Sequence, residues 1–319
     1  MKRLVDSFSL SPTRHASSIA FGAEQLGGTD WGTFDEAEAR RAVTRALDFG
    51  ITLFDTADVY GLGRSEVTLS EVLGAARHDV IIATKVGVRW EVAPGVRART
   101  TKDLSAAYIE RAVAASLRRL RLDVLPLVYL HWPDEDTPIE ASADAMRGLV
   151  ERGLVELVGL SNHSPVQVAA FHSLLPLAAV QLPYNLLQRD VGEPMLATCR
   201  ELGIPAVAYG PLAQGLLSGK YGPATVFGPD DRRHRLPHFT PEAMARYEPV
   251  LLALRNAAAE LGCSMSQLAV RWLLEQPGIF AAITGVRSPA QIDEHVAAAS
   301  GRWPSTLAYS LSLLASTTS

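Results

Sequence analysis

Short, continuously apolar runs alternate along this chain with longer stretches in which apolar positions recur every three or four residues. Continuous apolarity marks strands buried on both faces, and the three-four spacing marks helices with one buried stripe. Eight runs qualify as strands: 18–21, 52–54, 80–83, 125–130, 156–160, 178–181, 205–208 and 279–283. Helices are predicted between them. Asp35 caps 36–49, where Ala39, Val43, Ala46 and Leu47 share a face and Gly50 ends the helix. Further helices are predicted over 105–121, 139–152 (opened by Thr137 and Pro138), from Ser164 and Pro165, over 193–202, 266–275 and 289–296.

Eight strands alternating with helices fit a closed barrel or an open doubly wound sheet. The strand count and the lack of a G-x-G-x-x-G turn after the first strand predict an α/β chain folded as a single (β/α)8 barrel. Its expected extent is residues 1–299, with an irregular or weakly ordered tail over 300–319, a Ser/Thr/Leu-rich stretch. Residues 219–241, rich in Gly, Pro, Arg and His, are expected to form a long loop over one mouth.

Composition narrows the classes. With 48% apolar residues and a net charge of -4, the chain can build a large core and carries no basic stripe for nucleic acid. No signal-peptide core occurs in the first 18 residues and no apolar run is long enough to span a bilayer, so a cytoplasmic, membrane-free, monomeric protein is expected. Cys199 and Cys263 have no metal-type spacing and sit in helical stretches, as inert buried thiols do.

In such a barrel, chemistry gathers where strands end. The runs lead into Asp55, Lys85, His131, Ser161 and Asn162, Gln181, Tyr209, and Thr284 with Gly285. Taken singly, Asp55 and Lys85 could be a buried ion pair, His131 a core histidine, and Tyr60 a rim aromatic. A ring of such residues on one face is hard to explain by packing. Tyr60 lies five residues past Asp55. A phenol is a poor acid at neutral pH unless a neighbour such as Lys85 lowers its pKa, with Asp55 holding that ammonium. Tyr60 could then protonate a carbonyl oxygen while His131 orients it. A metal-dependent hydrolase on Asp55, Asp58, His131 and His163 lacks a third strand-end histidine and leaves Tyr60 and Lys85 unused.

These residues also stand in segments that resemble one family. Phe54-Asp55-Thr56-Ala57-Asp58-Val59-Tyr60-Gly61, Ala83-Thr84-Lys85-Val86-Gly87, Leu130-His131-Trp132-Pro133-Asp134, Gly159-Leu160-Ser161-Asn162, Val180-Gln181-Leu182-Pro183-Tyr184-Asn185, Tyr209-Gly210-Pro211-Leu212-Ala213 and Gly285-Val286-Arg287 occur in this order. Together they resemble the aldo-keto reductases. Tyr209-Gly210 resembles a bacterial, NADPH-dependent general-stress and inositol-type subgroup. The resemblance implies a catalytic tetrad of Asp55, Tyr60, Lys85 and His131, with Tyr60 the general acid. It implies NADPH/NADP+ as cofactor. Ser161, Asn162 and Gln181 would take the carboxamide, Tyr209 the nicotinamide ring, and Leu212, Gly215 and Lys220 the pyrophosphate. Gly22, Pro211 and Gly285 would line the same groove. Arg287 would take the 2'-phosphate, and Gln291, Glu294 and His295, where the family often has Asn, the adenosine.

Trp90 and Trp132 are candidates for the substrate pocket, and no metal is implied. The implied function is reversible, NADPH-dependent reduction of aldehydes and ketones. A nicotinamide-sensing regulatory subunit, or a sugar or alcohol dehydrogenase working oxidatively, stands beside it.

Overall fold

The computed structural model describes all residues except 1–4, 34, 94–95, 191, 302, 305, 307–309 and 313–319. Eight parallel strands close into a barrel: β1 (Ile19–Gly22), β2 (Leu53–Asp55), β3 (Ile81–Val86), β4 (Leu125–Leu130), β5 (Val155–Ser161), β6 (Ala179–Pro183), β7 (Ala206–Tyr209) and β8 (Ile279–Gly285). Each pairs with its neighbours in sequence, and β8 closes on β1 through Ala282–Ile19 and Gly285–Gly22. Every one of the eight apolar runs is a barrel strand.

Alternation within each strand explains why the runs are apolar throughout. Ala20, Leu53, Ile81, Leu127, Tyr129, Ala179, Val207 and Ala281 fill the barrel. Their neighbours Ile19, Phe21, Phe54, Ile82, Val128, Leu160, Val180 and Ala282 face the helices. Below, an antiparallel hairpin of Ser7–Ser9 and His15–Ser17 adds Phe8, Leu10 and Ala16 to the inner cluster, so it plugs the barrel's N-terminal mouth. Arg14 fastens it to β5 through Glu156 at 2.7 Å.

Inside the barrel, Tyr129 is 1% exposed and stands in register with Gly159. A methyl on Gly159 would lie 2.4 Å from the Tyr129 ring and 2.8 Å from the Ala179 carbonyl. Gly159→Ala is therefore expected to cost about 1–3 kcal/mol of stability by overpacking, measured by thermal or urea denaturation.

Helices α1 (Glu36–Asp48), α2 (Arg64–Leu73), α3 (Ala106–Leu120), α4 (Ile139–Glu151), α5 (Pro165–Leu174), α6 (Glu193–Leu202), α7 (Pro241–Leu261), α8 (Met265–Leu274) and α9 (Pro289–Ser300) surround the strands. Asp35 caps α1 by accepting from the amides of Ala37 and Glu38. Two helices stand beyond those predicted. The inner face of α2 mixes Leu69 and Leu73 with buried Ser65, Glu66, Thr68 and Ser70. Helix α7 contains Pro249. Two strands, Val88–Ala93 and Val96–Lys102, also stand unannounced as an antiparallel hairpin after β3.

Residues 219–241 do form a long loop, with short 3-10 turns at Arg232–Arg235 and Pro237–Phe239. Much of the stretch expected to be irregular, 300–319, lies outside the described residues. Within it, Trp303 donates to the Ala298 carbonyl at 3.0 Å, Leu311 is 1% exposed, and Ser312 accepts from the Trp272 indole at 2.9 Å. No helix of the described residues is long and apolar enough to cross a membrane.

Candidate active site

A cavity of about 590 Å³ opens where the strands end. Asp55 ends β2, and the loop after it swings Tyr60 back over the mouth. Close backbone contact sets that swing: Gly61 has φ +58, and a Cβ there would lie 2.2 Å from the Gly27 carbonyl oxygen. Buried polar groups of α2 fix the same loop. Ser65 Oγ donates to the Ala23 carbonyl at 2.7 Å and lies 2.8 Å from Thr56 Oγ1. Glu66 accepts from Thr84 Oγ1 at 2.6 Å and from Arg119 at 2.5 Å.

Lys85 is buried beneath the mouth. Its ammonium donates to Asp55 Oδ1 at 2.5 Å, to the Thr56 carbonyl at 2.9 Å and to the Tyr60 hydroxyl at 3.4 Å. Gln181 donates to the other Asp55 oxygen at 2.8 Å. Burial pushes the Asp55 carboxyl upward against the pull of Lys85 and Gln181. The His131 ring meets Tyr60 edge-on at 5.9 Å between centroids, and its Nδ1 is buried without a partner. Burial and then the charge of Lys85 hold His131 well below its ordinary pKa, so it is neutral at pH 7.

The phenol departs from the sequence expectation. Burial outweighs the neighbouring ammonium: it drives Tyr60 well above its ordinary value, helped by Glu24 and Asp55 and opposed by Arg232. The ammonium is already engaged by Asp55, and a desolvated phenolate is costly. A neutral phenol beside a neutral imidazole can donate a proton to a carbonyl oxygen and steady that oxygen with a second hydrogen bond.

The polar strand ends of β5, β6 and β7 meet on the adjoining wall. Asn162 has a left-handed φ of 62°, a conformation asparagine tolerates. Its amide donates to the His131 carbonyl and Ser161 Oγ, and its oxygen accepts from the Tyr209 hydroxyl at 2.8 Å. Beyond β7, Ala213, Gln214 and Gly215 have successive φ of 46°, 52° and 100°. The Ala213 and Gly215 N–H groups donate to the Gly210 and Leu212 carbonyls at 3.0 and 2.9 Å, which holds this strained turn, and strain of this kind collects at functional sites. The same wall carries Gly22, Pro211, Leu212, Lys220, Gly285, Arg287, Gln291 and Glu294.

Charge pairing is uneven round the cavity. No carboxylate among the described residues pairs with Lys220 or Arg287, which line it. The Arg287 guanidinium donates to the Trp31 carbonyl at 2.6 Å and its backbone N–H to Gln291 at 2.7 Å. Around the tetrad the charges are paired: Lys85 with Asp55, and Arg232 with Glu24 at 2.8 Å.

Three assigned residues are not on the cavity wall: Lys85, which lies beneath it, His295 and Trp90. His295 is 1% exposed with both ring nitrogens unpartnered, and burial brings its pKa to about 4. It lies on the inner stripe of α9 with Ile292, Val296 and Ala299, one position round from Glu294. Trp90 is half-buried on the hairpin after β3, opposite Thr100. Trp132 does line the cavity, 39% exposed, stacked on His131 at 6.4 Å, with Lys102 5.4 Å from its ring.

The long loop over the mouth was expected, but the wall it builds with the loop after β1 was not. Trp31 and Asp231 form an antiparallel bridge joining the loop after β1 to the long loop. Glu24, Gln25, Trp31, Tyr221, Arg232 and Arg233 thereby line the cavity.

Residues 18–305 match the model of the aldo/keto reductase family. The chain belongs to the aldo/keto reductase family. It is 37% identical over 285 residues to the aldo-keto reductase YhdN of Bacillus subtilis, covering 87% of this chain and 83% of that protein. It is 36% identical over 288 residues to an uncharacterized oxidoreductase of Mycobacterium tuberculosis, covering 89% of this chain and 84% of that one. The glycerol dehydrogenase AKR11B4 of Gluconobacter oxydans superposes with a TM-score of 0.89 at 32% identity, covering 100% of this chain and 97% of that one. The holo form of the aldo-keto reductase AKR11C1 of Bacillus halodurans does so with 0.79 at 28%, covering 97% and 96%. Family membership makes this chain an oxidoreductase on a (β/α)8 barrel.

Proposed function

We propose that the chain reduces aldehydes and ketones to alcohols with NADPH, reversibly, and that Tyr60 is the general acid. One observation carries the reading. A neutral phenol and a neutral imidazole, Tyr60 and His131, line one cavity with two cations that no carboxylate among the described residues pairs, Lys220 and Arg287. Unpaired cations suit the phosphates of a dinucleotide, and a guanidinium suits a 2'-phosphate through its paired donors. The halodurans relative, solved in a holo form, supports cofactor binding.

Bound there, a nicotinamide cofactor supplies the hydride that arrives at the carbonyl carbon. Ser161, Asn162 and Gln181 hold the carboxamide, and Tyr209, its hydroxyl tied to Asn162, presents its ring to the nicotinamide. Gln291 and Glu294 flank the adenosine. At the other end Tyr60 donates its proton to the carbonyl oxygen, and His131 keeps that oxygen in place. Lys85, anchored by Asp55, steadies the phenolate left behind. A raised Tyr60 pKa keeps the acid form ready through neutral pH, which favours reduction. Alcohol oxidation needs the phenolate and is expected to quicken as pH rises.

Arg287→Ala is expected to weaken NADPH binding about 10–100-fold, the worth of a charge-assisted contact, with little change for NADH. Titration of tryptophan fluorescence with each cofactor checks this. Equal losses for both would remove the 2'-phosphate role from Arg287.

A further inference from the structure

The proposed reaction leaves Glu24 unused, although it lines the cavity. Glu24 follows β1 by two residues and forms an ion pair with Arg232 Nη1 at 2.8 Å; a quarter of its side chain stays accessible. Arg232 is held from further sides, by Asp30 at 3.5 Å and by the Trp31 ring at 4.9 Å. The carboxylate is therefore presented from a fixed mount. Glu24 lines the same cavity as Tyr60, His131 and Tyr209, and its charge acts with burial to raise both phenols. The Trp31 indole N–H, on the same wall, is buried without a partner in a residue 8% exposed.

This wall therefore offers an acceptor, Glu24, beside a donor, Arg232. A hydroxyl both donates and accepts, and matches such a pair. A carboxylate or phosphate does not: Arg232 already has two carboxylates, and an added anion would meet Glu24 directly. We infer that Glu24, mounted on Arg232, is a specificity-determining residue that binds a hydroxyl next to the reacting carbonyl, selecting uncharged hydroxy-aldehydes and hydroxy-ketones over plain carbonyls and carbonyl acids. The inference rests on the carbonyl-reductase reading above and names the substrate class of that site.

The test compares glyceraldehyde, propanal and glyoxylate with NADPH, using the wild-type chain, Glu24→Leu, Glu24→Gln and Arg232→Met. Glu24→Leu is expected to lower kcat/KM for glyceraldehyde about 10–100-fold, mainly through KM, as loss of a hydrogen bond to a charged group does. Propanal, with no hydroxyl to lose, should be turned over as before. Glu24→Gln, which keeps an acceptor oxygen, should recover part of the loss, and thermal melting identifies any variant that fails to fold. Equal losses for glyceraldehyde and propanal in the folded Leu and Gln variants would overturn the inference. So would a wild-type preference for glyoxylate that Arg232→Met abolishes. In both cases carbonyl reduction itself would stand, whereas a wild-type chain that turns over none of the three aldehydes would defeat the underlying reading.

Discussion

Tyr60→Phe is expected to lower aldehyde turnover by about 10²–10⁴-fold, the usual contribution of a positioned acid, while cofactor binding is unchanged. The substitution removes one oxygen, which lies 3.4 Å from Lys85 Nζ, and keeps the ring that packs edge-on against His131. Binding is spared because the cations assigned to the cofactor, Lys220 and Arg287, are untouched by the change. The pH profile adds a sign. Burial, with Glu24 and Asp55, raises the phenol, so reduction by the wild type should hold through neutral pH and fall only as pH climbs toward that raised value. His131, held neutral by burial and Lys85, should add no titration near pH 7. Steady-state rates across pH, with NADPH titrations of both proteins, check this. A phenylalanine variant with near-normal turnover would remove Tyr60 from the reaction.

Lys85→Met is expected to cost about 3–5 kcal/mol of stability together with activity, because it strands a buried charge. Lys85 and Asp55 are 1% and 4% exposed, and after the change only Gln181 would still donate to the carboxylate. Burial already raises Asp55; without the ammonium it rises further. A carboxyl whose folded pKa lies above its unfolded value gives the folded state a stability that is full at low pH and is lost as pH rises through the folded pKa. The variant should therefore be least destabilised in acid and worsen toward neutral pH. Adding Asp55→Asn should restore much of the stability and none of the activity. Urea denaturation at several pH values reads both effects. A Lys85→Met protein as stable as the wild type at neutral pH would mean that the pair is not the buried anchor described.

Most of the barrel could be read in advance because strands buried on both faces leave uninterrupted apolar runs. The polar residue closing each run then located Asp55, Lys85, His131, Asn162, Gln181 and Tyr209. That rule fails where its premise fails. Helix α2 turns Ser65, Glu66 and Thr68 inward to tie down the Tyr60 loop, so polar residues interrupt the apolar face that Leu69 and Leu73 make. His295 looked like a cavity residue by its place after Glu294, yet the spacing of Ile292, Val296 and Ala299 already put it on the buried face. The Glu24–Arg232 wall joins residues some two hundred positions apart through the Trp31–Asp231 bridge, and no local pattern announces such a pairing. Glu24 alone carried a signal: it is the polar residue just past the first strand, hidden because Gly22 ends that strand.

The most direct test of the proposed reaction follows a hydride. The purified chain would be incubated with glyceraldehyde and NADPH carrying deuterium at C4 of the nicotinamide, and the product alcohol weighed by mass spectrometry. Deuterium bound to the carbinol carbon of the product is the expected result. Cofactor that binds while no deuterium reaches any of a panel of aldehydes would contradict it, and would leave the barrel a nicotinamide-binding protein.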